Sequence, residues 1–312
     1  MTPSLSPTTA SPTSSPIVPI TGQCFAARNE LKDAVDAYVS QDCANNSACA
    51  VAQTYGYPMN AWCTGDVTSM ASLFLGMTSF NEDISGWNVS SVVNMYRMFY
   101  NAASFNRDLS SWDTSSLMGM SEMFYGATAF ESDLSGKYKL LYILYLCNVR
   151  SFTNFVSTAY CLPRSLCKMQ TILEIYALIP SAWDTSNVII MYWAFRGASS
   201  FNSDLSSWNT GSVTTFERMF AQASSFNSDV SSWDISSAEN LNDMFEDALS
   251  FNQDLCLWGD NYIFNPEYTG FQYNVDNNMF EGSGCTYQAT PQEVNPDTGT
   301  YGPFCASDCT AR

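Results

Sequence analysis

The chain has 312 residues, 30 acidic against 12 basic side chains, a formal charge of −18 and no histidine. Such a balance excludes the basic footprint of a nucleic-acid binder and electrostatic docking on anionic lipid. The missing histidine removes Ser-His-Asp and Cys-His catalytic arrangements and His-based metal sites.

Along the chain, residues 1–23 come first. Fifteen of the twenty residues from Thr2 to Thr21 are Ser, Thr or Pro. Such a segment buries no apolar surface, and it reads as an O-glycosylated stalk or as a plain disordered linker. Met1 is followed by neither a basic region nor an apolar run, so a truncated start or a piece of a longer exported protein is expected. No apolar run reaches the roughly 18 residues of a membrane span. Asn45 and Asn88 stand in Asn-x-Ser acceptor patterns for N-glycosylation. Residues 24–54 read as an N-terminal helical cap, because Leu31, Ala34, Val35 and Tyr38 share one helical face.

From residue 55 the chain repeats every 25 residues: Trp62, Trp87 and Trp112, then Trp183, Trp208, Trp233 and Trp258. Phe74, Phe99, Phe124, Phe195, Phe220 and Phe245 keep the same register, as do Phe80, Phe105, Phe130, Phe201, Phe226 and Phe251. The segment Phe-Asn-x-Asp-Leu-Ser-x-Trp alternates like a short strand. Asp113-Thr114-Ser115 then offers a cap, and Leu117, Met120, Met123 and Phe124 fall on one face of a short helix ending at Gly126. The expected fold is therefore an α/β repeat solenoid of about seven coils, each a short strand plus a short helix. Single coils cannot bury their own apolar faces, so they stack.

The repeats over 55–136 and 183–260 are separated by an aberrant insert, 137–182. Removing its 46 residues returns Trp183 to the register of Trp112. The insert holds five of the twelve basic residues and one of the thirty acidic ones. Two readings are open: a retained intron translated in frame, since Gly136-Lys137-Tyr138 can encode a splice donor, or a true loop insertion. Transcript sequencing separates them.

Residues 261–312 read as a C-terminal cap and Cys-rich tail. The chain has 11 cysteines and no Cys-x-x-Cys, which favours an oxidising compartment over a zinc ribbon. Setting aside the insert leaves Cys24, Cys43, Cys49 and Cys63 before the repeats, and Cys256, Cys285, Cys305 and Cys309 at their end. Pairing within each group is expected: Cys24–Cys63 with Cys43–Cys49 first, and Cys256–Cys285 at the other end. Each group allows three connectivities.

The unit MFYNAASFNRDLSSWDTSSLMGM, residues 98–120, resembles the repeat of the BspA-type leucine-rich-repeat surface proteins. The resemblance covers about 55–285 outside the insert. It implies a leucine-rich-repeat-like solenoid, export, and adhesion or surface interaction; it supplies no catalytic residues.

The recurring Asp of Asp-Leu-Ser gives two readings. Asp108, Asp204 and Asp229 could join a carboxylate ladder that binds calcium, or each could bond a turn. The Asn ladder of Asn81, Asn106, Asn202, Asn227 and Asn252 suits inter-coil backbone bonds. The varied positions Glu82, Arg107, Glu131, Ser203, Ser228 and Gln253, beside Asp204 and Asp229, form the expected binding face. No cofactor is expected beyond calcium. The expected function is an extracellular or cell-surface protein that mediates adhesion or recognises a protein or glycan. The alternatives are a structural component of wall or matrix and, more remotely, a polysaccharide-active enzyme.

Overall fold

A computed structural model describes residues 22–135, 183–260, 278–289, 291 and 304–309. The stalk, the insert and most of the tail lie outside the described residues. The chain opens with helix α1, Arg28–Ser40, which buries Leu31, Ala34, Val35 and Tyr38. A single 3-10 turn over Cys43–Asn45 leads to α2, Ala50–Tyr55. The disulfides Cys24–Cys63 and Cys43–Cys49 close this cap. Phe25 stacks on Tyr55 at 4.3 Å, and Trp62 carries the packing into the first repeat by stacking on Trp87 at 6.1 Å.

The repeats stack, but they correct the α/β expectation. Among the described residues they contain no strand and no α-helix. The only β pairing between them is one isolated parallel bridge per step, through Ser69, Asn94, Gly119, Ile190, Thr215 and Asn240. Where the apolar spacing predicts a helix, each unit makes two successive turns. Arg97 and Asn101 adopt left-handed φ values of 53° and 54°, as do Glu122 (54°) and Gly126 (63°) one unit on. A right-handed helix cannot pass through those residues. Alternate amides of the turns point at the next unit: Met95, Arg97, Phe99 and Asn101 donate to the carbonyls of Gly119, Ser121, Met123 and Tyr125 at 2.7–3.1 Å. A helix would have spent these donors on itself. At Gly126 a Cβ would lie 2.2 Å from Asn101 Oδ1, so glycine lets the Asn101 side chain sit there, although Asn101, Gln222 and Asp247 hold the same left-handed position in other units.

The expected strand is likewise an extended turn. Asn106 N–H donates to Asn81 Oδ1 at 3.0 Å, and Glu131 N–H to Asn106 Oδ1 at 3.1 Å, so an asparagine side chain replaces a backbone ladder. Asp113 Oδ1 accepts the Ser115 N–H without starting a helix.

Inside, the Phe registers form two ladders. Phe99, Phe124 and Phe195 stack at 5.4 Å per step, and Phe124 stacks on Phe130 of its own unit at 4.0 Å. All are fully buried, each contributing roughly 1.5–3 kcal/mol of transfer free energy. A tryptophan column runs beside them, and Trp112 Nε1–H donates to Ile84 O at 3.2 Å.

The stack passes straight across the insert. Trp183 N–H donates to Leu134 O at 3.3 Å, the counterpart of Trp112 N–H to Leu109 O at 3.1 Å. Trp112 stacks on Trp183 at 6.3 Å and Phe130 on Phe201 at 5.8 Å. One ladder bond is missing at this seam: by register Trp208 Nε1 should reach Leu134 O, and among the described residues it has no partner.

At the far end, Phe280 stacks on Phe245 at 5.8 Å while Phe245 N–H donates to Met279 O at 2.8 Å. Met279-Phe280 thus adds one more turn unit beyond residue 260, where the sequence reading ends the repeats. The C-terminal disulfides are Cys256–Cys309 and Cys285–Cys305, which corrects the expected Cys256–Cys285 pair. Cys305 bridges both Asp254 and Tyr287, which places it over the last unit.

Candidate functional site

The face expected from the sequence is largely consumed by the architecture. Ser203 is buried at 6% exposure, and its Oγ accepts from Leu134 N–H and donates to Asp133. Ser228 Oγ accepts from Leu205 N–H, Gln253 Nε2 donates to Asn227 O, and Arg107 Nε donates to Asn81 O. Glu131 stands in the asparagine register, where its N–H donates to Asn106 Oδ1; Ser132 holds the position assigned to it.

The Asp-x-Ser carboxylates act in local turns. Asp108 accepts from Ser110 N–H, Asp204 from Ser206 N–H and Asp229 from Ser231 N–H. One oxygen of each potential calcium ligand is thereby committed, and they stand one per unit rather than in a cluster. Among the described residues the one trio of ligating groups within 4.8 Å of one another is Asp254, Cys256 and Cys309, and its two sulfurs form a disulfide. Asn45 and Asn88 are both exposed. Asn45 Nδ2 donates to Asp42, and Asn88 Oδ1 accepts from Ser90 N–H.

A different surface carries side chains that do not repeat. In each turn segment, the two residues after the first inward position and the residue after the inward Phe lie on the outer side. In the units beginning at Met95, Met120, Met191 and Phe216 these positions hold Tyr96, Arg97, Tyr100, Glu122, Tyr125, Tyr192, Trp193, Arg196, Glu217 and Arg218. Tyr100 stacks on Tyr125 at 4.5 Å, and Tyr125 on Trp193 at 5.9 Å. Glu122, only 2% exposed, receives Arg97 in a two-pronged pair at 2.8 and 3.0 Å, and the Tyr192 hydroxyl at 3.2 Å. Arg97 lies over the Tyr96 and Tyr100 rings at 4.7 and 5.3 Å. Arg218 pairs with Asp243 at 2.9 Å and approaches Glu246 at 3.7 Å. Arg196 lies over Trp193 at 4.7 Å and Tyr125 at 5.6 Å.

Electrostatics follow this geometry. Burial, then the Glu122 charge, pushes the Tyr192 phenol up to about 12. The hydrogen bond to Glu122 holds the Arg97 guanidinium above its ordinary value. Burial, with Asp243 adding to it, raises the Glu246 carboxyl. Beside this face runs an exposed apolar row, Val93, Met118 and Ile189, in the register preceding the bridges. A shallow open depression borders it, between Ser115, Ser116, Asn187 and Ser212. Nothing in the sequence reading singled out this surface. Its only signal was departure from the repeat at outward positions, and outward positions could not be told from inward ones while the segment was read as a helix.

The fold and this surface define a disulfide-capped stack of turn units, uniform inside and varied along one outer face. The family model described as "Mycoplasma protein of unknown function, DUF285" matches residues 23–143 and 167–279, and the chain belongs to that family. Neither a curated protein nor a solved structure matches the chain significantly. Among the described residues no helix is long and apolar enough to cross a membrane.

Proposed function

We propose that the protein is an extracellular or cell-surface recognition module whose turn face makes the contacts. One observation carries this reading: the stack keeps its interior nearly constant from unit to unit, yet gathers Tyr, Trp and Arg on neighbouring outer turns. These are the residue types that dominate protein-binding hot spots, because they offer large rigid area with a polar handle. The four disulfides among the described residues suit an oxidising exterior. The repeat's resemblance to BspA-type surface proteins supports a role in adhesion.

The test uses the full chain on arrays of extracellular proteins and glycans. Tyr125→Ala with Trp193→Ala should abolish binding while near-UV circular dichroism stays native. Asp204→Lys with Asp229→Lys, on the surface expected from the sequence, should leave binding intact. Binding lost only in the aspartate pair would move the site to that surface. Absence of any binding to either array would favour a structural wall or matrix component.

A further inference from the structure

We infer that the turn face binds a protein segment presenting a carboxylate side chain, received by Arg196. This inference rests on the recognition reading and names its ligand class. Two observations on the face support it.

The first is the state of its three guanidiniums. Arg97 is neutralised by Glu122, and Arg218 by Asp243 and Glu246. Arg196 lies over the rings of Trp193 and Tyr125 and makes no ion pair among the described residues, although its charge is felt at Glu246; its Nε is enclosed without a hydrogen-bond partner. The residue as a whole is half-buried, not enclosed. A guanidinium packed over aromatic rings has lost much of its rotamer freedom already. Its planar fork of donors matches a carboxylate. In a chain of charge −18, a packed arginine with no carboxylate in direct contact among the described residues is where an acid from outside fits.

The second observation separates a protein from a sugar. Sugars dock on aromatic platforms by laying C–H groups on open ring faces. Here the faces are already covered by neighbours. Tyr100 and Tyr125 are 5° from parallel at 4.5 Å, Arg97 lies over Tyr100, and Arg196 and Arg218 both lie over Trp193. What the row offers outward is ring edges, hydroxyls and guanidinium donors. The adjoining exposed row of Val93, Met118 and Ile189 adds apolar area. A peptide with an acidic residue flanked by apolar ones complements both rows.

The test pans a random-peptide phage library against the immobilised full chain, then measures synthetic copies of the enriched peptides by fluorescence anisotropy. The enriched sequences should share an Asp or Glu. Replacing it with its amide, and separately making Arg196→Gln, should each weaken binding about tenfold or more. Combining the two should weaken it little further, the signature of one shared contact. Arg196→Lys should restore only part of the affinity, and Arg107→Gln should change nothing. Peptides lost by Trp193→Ala but indifferent to Arg196→Gln would overturn the carboxylate inference and leave the turn face as the site. Peptides indifferent to both would sink both. No enrichment, or binding to neutral glycans instead, would overturn the inference.

Discussion

Two segments of every unit recur in register, yet they use their outward residues in opposite ways. In the Phe-Asn-x-Asp-Leu-Ser segment the outward Asn, Asp and Ser are nearly constant and are spent internally: Asn106 on the next unit's amide, Asp108 on its own turn. In the Met-Phe turn segment the backbone couples the units, so the side chains are free to differ. There Ser72, Arg97, Glu122, Trp193, Arg218 and Asp243 share one left-handed position with unrelated chemistry. Outward repetition therefore marks scaffolding, and loss of repetition over an invariant backbone marks recognition. Because all six residues share the left-handed φ, that strain belongs to the scaffold and is not itself a sign of function.

The comparison can be broken hardest from inside. Phe124→Ala, in the middle of one phenylalanine ladder and stacked on the other through Phe130, should cost about 3–5 kcal/mol in denaturant unfolding. Tyr125→Ala, the next residue but on the outer face, should cost no more than about 1 kcal/mol. Equal losses would erase the distinction between inside and outside.

A smaller effect tests the constant segment. Asn106→Ala removes the acceptor for the amide of Glu131 and should destabilise by about 1 kcal/mol, toward the low end for a lost partner because the site is partly wet. Replacing Asp108 by Asn, which keeps an oxygen for the Ser110 amide, should cost less.

pH sharpens the contrast further. Burial raises the Tyr192 phenol, on the turn face, and the Tyr38 phenol, in the cap, to about 12 from an ordinary 10.0. Because these folded-state values lie above the unfolded one, their contribution is fully present below pH 10.0 and is lost as pH rises toward 12. Tyrosinate absorbance should show these two ionising late, with stability falling across that window. Tyr192→Phe should remove part of the fall.

The smallest expected change accompanies the largest edit. Deleting residues 137–182 should leave a folded stack with stability altered by less than about 1 kcal/mol, since Trp183 already makes the bond to Leu134 that Trp112 makes to Leu109. The edit could also let Trp208 Nε1 regain its place in the ladder. Unfolding of this variant would show that the segment is part of the scaffold.

The sequence made the interior legible because the spacing of Trp, Phe and Met fixes register regardless of local backbone. It also showed where cysteines gather at the two ends. It misled on secondary structure because Leu117, Met120, Met123 and Phe124 fit a helix and a pair of turns equally well. Only the left-handed φ at Glu122 separates the two, and glutamate does not announce that conformation. Phe280 escaped because it follows Phe245 by 35 residues instead of 25. The C-terminal pairing escaped because composition says nothing of which cysteines meet over the last unit. Trp193 and Arg196 were readable as departures from the repeat, but their outward placement depends on the turns.

The central claim is that the Met-Phe turns both couple the units and free their side chains for recognition. Residue-resolved amide hydrogen exchange tests it most directly. The account predicts strong protection at Met95, Arg97, Phe99 and Asn101, whose amides donate to the next unit, and at Met98 and Tyr100, whose amides close the turns, with weak protection at Arg107. Continuous protection over Phe105–Leu109, as in a strand ladder, or rapid exchange at Arg97, Phe99 and Asn101, would contradict it.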